Sequence, residues 1–198
     1  MLRFMIVTLM FGMPATLCAG EFNKSLNVGD AAPAWSNLPG VDGKKHSLAD
    51  LKDKDAVVVV FTCNSCPMAV EYEDRIMAFA KRHAGKVAVV AINVNTIEED
   101  RLPRMVDRAK EREFNFAYLY DESQKIARAY GADKTPEFFV LDRNRKVVYM
   151  GAMDDKSPPS AAGKFYLEDA VQATLAGKSV STAETLARGC RIRFARKK

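Results

Sequence analysis

Two cysteines three positions apart, Cys63 and Cys66, lie where the sequence pattern changes from strand-like to helix-like. An apolar, β-branched run ends just before them, and after Pro67 the apolar residues recur at roughly helical spacing. Both sulfurs are therefore expected near a helix N-terminus, where the partial positive charge favours a thiolate. The pattern predicts a reactive cysteine pair in a fold that leads a buried strand directly into a helix.

The spacing suggests a division of roles within the pair. Cys63 is expected to be the activated sulfur, and Cys66, one helical turn further, is expected to close a disulfide with it. A zinc site would need a second pair of ligands at suitable spacing, which His46, His83 and Cys190 do not form. We therefore expect no metal and no cofactor. The simpler alternative to a redox role is that the two cysteines are an inert buried pair or a plain structural disulfide.

The first 20 residues resemble a secretory signal peptide. They combine a basic start at Arg3, an apolar centre over Met5–Phe11 and small residues around Ala19. Cleavage would leave residues 21–198 as one domain without a stable membrane anchor, in the periplasm or secreted. Three cysteines would then remain in an oxidising compartment, where an unpaired thiol calls for a role.

The net charge of +5 is a local property of the chain. Six basic residues and no acidic residue lie between Arg188 and Lys198, and without this tail the charges are nearly balanced. This distribution argues against a general nucleic-acid-binding surface and favours a solvated tail.

The remaining pattern alternates strands and helices and predicts an α/β sandwich with helices on both faces of one sheet. The expected elements are a short hairpin around 35–44, strands at 56–62, 86–94 and 118–120, helices at 67–82, after Pro103 and at 123–130, a hairpin of 138–141 with 147–150, and a last helix at 165–175.

Several motifs resemble one known family. They are Phe61–Pro67 (FTCNSCP), Ala91–Asn95 (AINVN), Tyr118–Asp121 (YLYD), Tyr130–Glu137 (YGADKTPE) and Gly189–Ile192. On these motifs the chain is identified as a member of the thioredoxin-like superfamily, within the secreted peroxiredoxin-like (AhpC/TSA, redoxin) family. The resemblance implies a three-layer α/β sandwich with a central mixed sheet, an extra N-terminal hairpin and a C-terminal tail.

The resemblance also implies binding and proton-transfer residues. Pro136 should follow a cis peptide bond and face the cysteine pair, and Thr135 and Pro136 should hold the backbone of a partner protein. Glu137 is the nearest acid that could accept a proton from Cys66, although a surface-facing strand residue is the simpler interpretation. Cys190 could be a resolving thiol, could cross-link two chains or could be a free thiol.

The function predicted from these features is an extracytoplasmic thiol-disulfide oxidoreductase. Its partners would be protein dithiol or disulfide clients and an unidentified redox partner. A thiol peroxidase is one alternative, but peroxiredoxins carry a threonine three residues before the peroxide-reactive cysteine, and that position before Cys66 is Cys63. A second alternative is a Cu(I) carrier, in which both cysteines would bind the ion with Met68, or with Met150 and Met153, nearby.

Overall fold

The computed structural model of the chain describes residues 20–156 and 163–195, so the predicted signal peptide lies almost wholly outside the described residues. The strands are β1 (Leu38–Pro39), β2 (Lys45–His46), β3 (Ala56–Phe61), β4 (Val87–Asn93), β5 (Ala117–Tyr120), β6 (Lys134–Thr135), β7 (Glu137–Leu141), β8 (Val147–Gly151) and β9 (Cys190–Arg191). The helices are α1 (Pro67–Glu71), α2 (Glu73–Arg82), α3 (Leu102–Glu111), α4 (Lys125–Tyr130) and α5 (Tyr166–Leu175).

The central sheet has five strands in the order β5-β4-β3-β7-β8. Strands β5, β4 and β3 run parallel, whereas β7 is antiparallel to both β3 and β8. The carboxyl ends of the three parallel strands therefore meet at one edge of the sheet. In open α/β sheets this edge is where binding sites form.

Each face of the sheet is covered by a separate apolar core. Val58 and Val60 of β3 face a cluster that includes residues of α2, α3 and α5, whereas Val57 and Val59 face a cluster with α4 and the N-terminal segment. Strand β3 is fully buried because it lies at the centre of the sheet between these two layers. The predicted three-layer α/β thioredoxin-like fold is confirmed.

The observed elements differ from the predicted ones mainly at their ends. The single helix expected between Pro67 and Arg82 is two helices that meet at Tyr72. The helix expected from Ser123 begins at Lys125, and Gly131, which adopts a left-handed conformation, ends it as predicted. No helix within residues 20–156 and 163–195 is long and apolar enough to cross a membrane.

Candidate active site

The helix that follows the cysteine pair begins at Pro67, as predicted. Its N-cap is Cys66, Pro67 occupies the first turn, and the backbone N–H of Ala69 donates a hydrogen bond to Cys66 Sγ at 3.4 Å. Proline is favoured at this point because its missing N–H would be unpaired in a first turn anyway. Cys63 therefore lies in the loop before the helix, three residues ahead of the N-cap, and Cys66 is the cysteine at the helix N-terminus.

Thr135 contacts both sulfurs from the opposite side of the site. The Thr135 carbonyl oxygen lies 3.1 Å from Cys66 Sγ, and Thr135 Oγ1 lies 3.6 Å from Cys63 Sγ. The peptide bond between Thr135 and Pro136 is cis, which confirms that prediction. The structure thus brings together four of the predicted site residues, two cysteines and the threonine-proline pair.

The two thiols of the pair have opposite tendencies to ionise. A hydrogen bond from the Cys63 thiol lowers the pKa of Cys66, and the donated Ala69 N–H acts in the same direction. The same thiol-thiol hydrogen bond raises the pKa of Cys63, with burial and the negative charge of Asp100 adding to the effect. These shifts favour ionisation of Cys66 over Cys63, whereas the sequence pointed to Cys63.

The third cysteine, Cys190, lies beside the pair although it is more than 120 positions away in the sequence. Strand β9 pairs antiparallel with β6 so that Cys190 is opposite Thr135, and interaction with Cys66 raises the pKa of the Cys190 thiol. Cys63 and Cys66 are buried, whereas Cys190 is exposed. All three thiols therefore belong to one cluster, and its outermost member faces solvent.

Asp100 is a site residue that sequence reasoning did not single out. This carboxylate is completely buried, and its Oδ1 accepts the backbone N–H groups of Asn64 (2.8 Å) and Ser65 (2.9 Å). Its Oδ2 accepts from Ser65 Oγ at 2.6 Å and from Asn95 Nδ2 at 2.9 Å. One carboxylate thus holds both residues that separate Cys63 from Cys66.

Further polar side chains from the ends of β4 and β5 support this loop. Asn93 Nδ2 donates to the Asp100 carbonyl oxygen and to the Tyr118 hydroxyl, and this hydroxyl donates to Asn64 Oδ1 at 2.9 Å. Buried polar groups are expected to be hydrogen-bonded in this way. Asn93 and Tyr118 belong to the motifs AINVN and YLYD, which the sequence analysis singled out. Their hydrogen-bond partners could not be predicted from those motifs.

Among the described residues, the Glu137 carboxylate is hydrogen-bonded to backbone groups and not to the thiols. It is buried rather than surface-facing, and its Oε2 accepts the backbone N–H groups of Asp133 and Lys134, each at 2.9 Å. Burial raises the pKa of Glu137 despite these two donors. The carboxylate therefore holds the turn before β6, and its geometry lends no support to proton transfer with Cys66.

The methionines proposed as copper ligands lie in different places. Met68 packs against the cluster of Cys63, Cys66 and Ala69, and it lines a cavity of about 180 Å³ together with Met153 and Pro136. Met150 belongs to the core on the other face of the sheet. Across the described ranges, no group of three or more His, Cys, Asp or Glu side chains is placed to hold a metal ion.

The fold and the dithiol site define a thioredoxin-like redox protein. A profile of the Redoxin family matches residues 27–164, which is most of the chain. The chain belongs to the Redoxin family, which supports thiol-disulfide oxidoreductase or peroxiredoxin-like redox activity at the level of the family.

Three proteins illustrate the similarity. The crystal structure of a hypothetical protein from Sinorhizobium meliloti 1021 is 38% identical and has a TM-score of 0.81, covering 87% of this chain and 97% of that one. The thiol-disulfide oxidoreductase ResA of Geobacillus thermodenitrificans is 25% identical over 147 residues, or 72% of this chain and 80% of that protein. A Mycobacterium tuberculosis protein provisionally named a peroxiredoxin is 27% identical over 139 residues, covering 62% of this chain and 83% of its own length.

Proposed function

We propose that the protein is an extracytoplasmic thiol-disulfide oxidoreductase whose redox centre is the pair Cys63 and Cys66. The observation that carries the proposal is the position of Cys66 as N-cap of α1, with its sulfur accepting the Ala69 N–H while the Cys63 thiol lies beside it. A stabilised thiolate with a second thiol in contact is the arrangement that disulfide exchange requires.

In the proposed reaction, the Cys66 thiolate attacks one sulfur of a client disulfide. A bond forms between Cys66 and that sulfur, the client S–S bond breaks, and the other client sulfur leaves as a thiolate. Cys63 then loses its proton to solvent or to the departing thiolate and attacks Cys66 Sγ, which releases the second client thiolate. The pair ends as a disulfide and the client as a dithiol, and the same steps in reverse oxidise a client.

Thr135 and Pro136 are the proposed docking residues for a client chain. Thr135 contacts both sulfurs, so a peptide held on its backbone would be close to the reacting atoms. In the structure this edge is paired with β9. We therefore infer that a protein client takes the place of β9, since extended peptides bind to sheet edges through the same backbone hydrogen bonds.

Cys190 is proposed as the resolving thiol. Its position opposite Thr135 and its interaction with Cys66 place the two side chains close together, so for a client that leaves β9 paired with β6, a thiolate at Cys190 could attack a mixed disulfide at Cys66 in competition with Cys63. Its pKa is raised, chiefly by the hydrogen bond to Cys66, so it is a weaker nucleophile while Cys66 is ionised. Resolution by Cys190 would leave a Cys66–Cys190 disulfide and return the client as a thiolate.

The extracytoplasmic location is part of the proposal. It is supported by the signal-like first 20 residues and by three thiols gathered in one cluster, a use of cysteine suited to an oxidising compartment. Expression of the full chain and analysis of the N-terminus of the exported protein test it. Retention of residues 1–20 on a protein found only in the cytoplasm would contradict the proposed location.

The decisive experiment on function is the trapping of mixed disulfides with variants in which cysteines of the cluster are replaced by serine. Cys66→Ser should abolish disulfide exchange, because it removes the attacking thiolate. Cys63→Ser combined with Cys190→Ser should accumulate a client bound to Cys66, because neither resolving thiol is left. Absence of any trapped client from the double variant, together with unchanged exchange by Cys66→Ser, would overturn the proposed function.

A thiol peroxidase is the second candidate, favoured by the M. tuberculosis relative and by the contact between Cys66 and Cys190. In this reaction the Cys66 thiolate would attack a peroxide oxygen, release water or an alcohol, and become a sulfenic acid. Cys190 would then displace hydroxide as water and form a disulfide. Stopped-flow oxidation by hydrogen peroxide, followed by mass-spectrometric mapping, separates the candidates: rapid formation of a Cys66–Cys190 bond favours the peroxidase, and slow oxidation ending in a Cys63–Cys66 bond favours the oxidoreductase.

A further inference from the structure

Asp100 stands out because it is a completely buried carboxylate beside a redox pair and is bonded to the loop of that pair. Buried acids normally need several hydrogen bonds or a cation to remain in the interior. Within the described residues, the hydrogen-bond donors to its carboxylate are the Asn64 and Ser65 N–H groups, the Ser65 hydroxyl and the Asn95 amide. These partners account for both carboxylate oxygens without a cationic side chain.

The carboxylate acts on the pair asymmetrically. Its hydrogen bonds reach the two residues between the cysteines, and its negative charge raises the pKa of Cys63 after the hydrogen bond to Cys66 and burial. The Thr135 and Ser65 hydroxyls, 3.6 and 3.7 Å from Cys63 Sγ, act in the opposite direction and lower the pKa of Cys63. Asp100 is therefore the acidic side chain that opposes ionisation on the Cys63 side of the site.

We propose that Asp100 is a positioning residue that decides which cysteine reacts. It holds the Asn64–Ser65 segment, and its carboxylate opposes the formation of a second negative charge on the Cys63 sulfur, so that Cys66 is the nucleophile. This inference rests on the proposed function, because it assigns a role within the same redox pair. The physical basis is that a like charge at close range and low dielectric opposes ionisation. The N-cap position of Cys66 and the acid on the Cys63 side both favour Cys66 as the cysteine that ionises and reacts.

The C-terminal segment is hydrogen-bonded to a residue that also holds Asp100. Asn95, whose amide donates to Asp100, also accepts the backbone N–H of Arg193 through its Oδ1 at 2.9 Å. Arg193 follows β9, which carries Cys190 beside Cys66. Asp100 and the third thiol are thus connected through one asparagine, and the loop between the cysteines and β9 have a common support.

The test compares the alkylation of Cys63 and Cys66 in the protein with Cys190→Ser, which removes the exposed thiol. Iodoacetamide labelling of the reduced protein is mapped by mass spectrometry across a pH range of about 6 to 9, which brackets the usual thiol pKa. We expect Cys66 to be labelled preferentially. Asp100→Asn, which keeps the size of the side chain and one oxygen acceptor, should raise the ratio of Cys63 to Cys66 labelling about tenfold, the effect of a pKa change of about one.

Asp121→Asn is the matched control. Asp121 is also a buried carboxylate that accepts a hydroxyl and a backbone N–H, from Ser123 and Ile126, but it holds the start of α4 instead of the cysteine loop. If Asp100→Asn and Asp121→Asn give the same labelling ratio as the parent protein, the proposed role is overturned. If both raise the ratio equally, the effect is one of general destabilisation, and the proposal is overturned as well.

A second measurement removes the coupling between the thiols. In the protein with Cys66→Ser and Cys190→Ser, Cys63 is the only thiol left in the cluster, and its ultraviolet thiolate absorbance reports its own titration. Asp100→Asn should shift this titration to lower pH, and an unchanged curve would overturn the proposal. Asp100→Ser, which leaves room for water at the two N–H groups, gives the same test if the asparagine variant does not fold.

Failure of the proposed function is distinguishable from failure of this inference. Labelling and titration need no client, so they report on Asp100 even if the protein exchanges no disulfides. A protein with the expected labelling ratios but no trapped client would contradict the oxidoreductase reaction and leave the role of Asp100 in place.

Discussion

Cys190 lies directly opposite Thr135 in the antiparallel pair of β9 and β6. Thr135 in turn contacts the sulfurs of Cys63 and Cys66, so one residue connects all three thiols. The close approach of the two strands depends on Gly189: a Cβ at this position would lie 2.0 Å from the Thr135 carbonyl oxygen. Its φ of 151° also disfavours a larger residue.

Gly189→Ala should therefore detach β9 without removing any thiol. We expect the yield of a Cys66–Cys190 disulfide in the Cys63→Ser protein under mild oxidation to fall by about tenfold or more, because about 1.4 kcal/mol of strain is enough for such a change. Non-reducing peptide mapping measures it. Gly85→Ala is the control, since Gly85 also has a positive φ but no atom within 4 Å of the added Cβ. Equal disulfide yields in the two variants would show that β9 stays in place despite the substitution.

Two tyrosines on β5 offer a matched pair for the network behind the cysteine loop. The Tyr118 hydroxyl donates to Asn64 and accepts from Asn93, whereas the buried Tyr120 hydroxyl has no hydrogen-bond partner among the described residues. Tyr118→Phe should lower the free energy of unfolding by about 1 to 2 kcal/mol, because it leaves buried polar groups unpaired. Tyr120→Phe should be neutral or slightly stabilising. Urea unfolding of the reduced proteins measures both, and equal losses would argue that the network contributes no stability.

Asp154, which follows β8, is buried and ion-paired with Arg75. It also accepts a hydrogen bond from the Tyr72 hydroxyl at 3.0 Å, next to the point where α1 and α2 meet. Arg75→Ala should destabilise the protein by roughly 3 kcal/mol or more, since it leaves a buried carboxylate without its cation. Denaturant unfolding tests this expectation.

The control for that prediction is the double variant Arg75→Met with Asp154→Leu. It replaces both charges by apolar groups, which removes the unpaired charge, so it should recover much of the lost stability. A double variant as unstable as Arg75→Ala would indicate that the loss comes from packing of the arginine side chain over the Tyr72 ring, 4.5 Å away, and not from the ion pair.

Glu137→Gln separates a structural role from proton transfer. Glutamine keeps an oxygen acceptor for the Asp133 and Lys134 N–H groups, so the rate of disulfide exchange and its pH profile should stay unchanged. Burial raises the pKa of Glu137 above its unfolded value, so its contribution favours the folded state below the unfolded pKa and is lost as pH rises through the folded pKa. The variant should lack that part of the pH dependence of unfolding. A large fall in exchange rate would restore the proton-transfer hypothesis.

The sequence predicted the strand before the cysteine pair more completely than the start of the helix after it. The run Ala56–Phe61 is apolar at every position and so indicated a strand buried on both faces, which the structure confirms. The helix after it begins at Pro67, as predicted, but the role of Cys66 as its N-cap was not predicted, because it depends on backbone angles that neither the proline nor the spacing specifies alone. That single residue changed which sulfur is expected to ionise.

The sequence by itself determined the order of strands and helices, the cysteine pair at a strand-to-helix junction and the family resemblance, because these follow from local periodicity and short motifs. Only the tertiary structure decided that Asp100 holds the loop between the cysteines and that Cys190 lies beside Cys66. Those contacts join residues 35 or more positions apart. They depend on which strand ends meet at one edge of the sheet and in which register β6 and β9 pair, and neither is encoded in any local pattern.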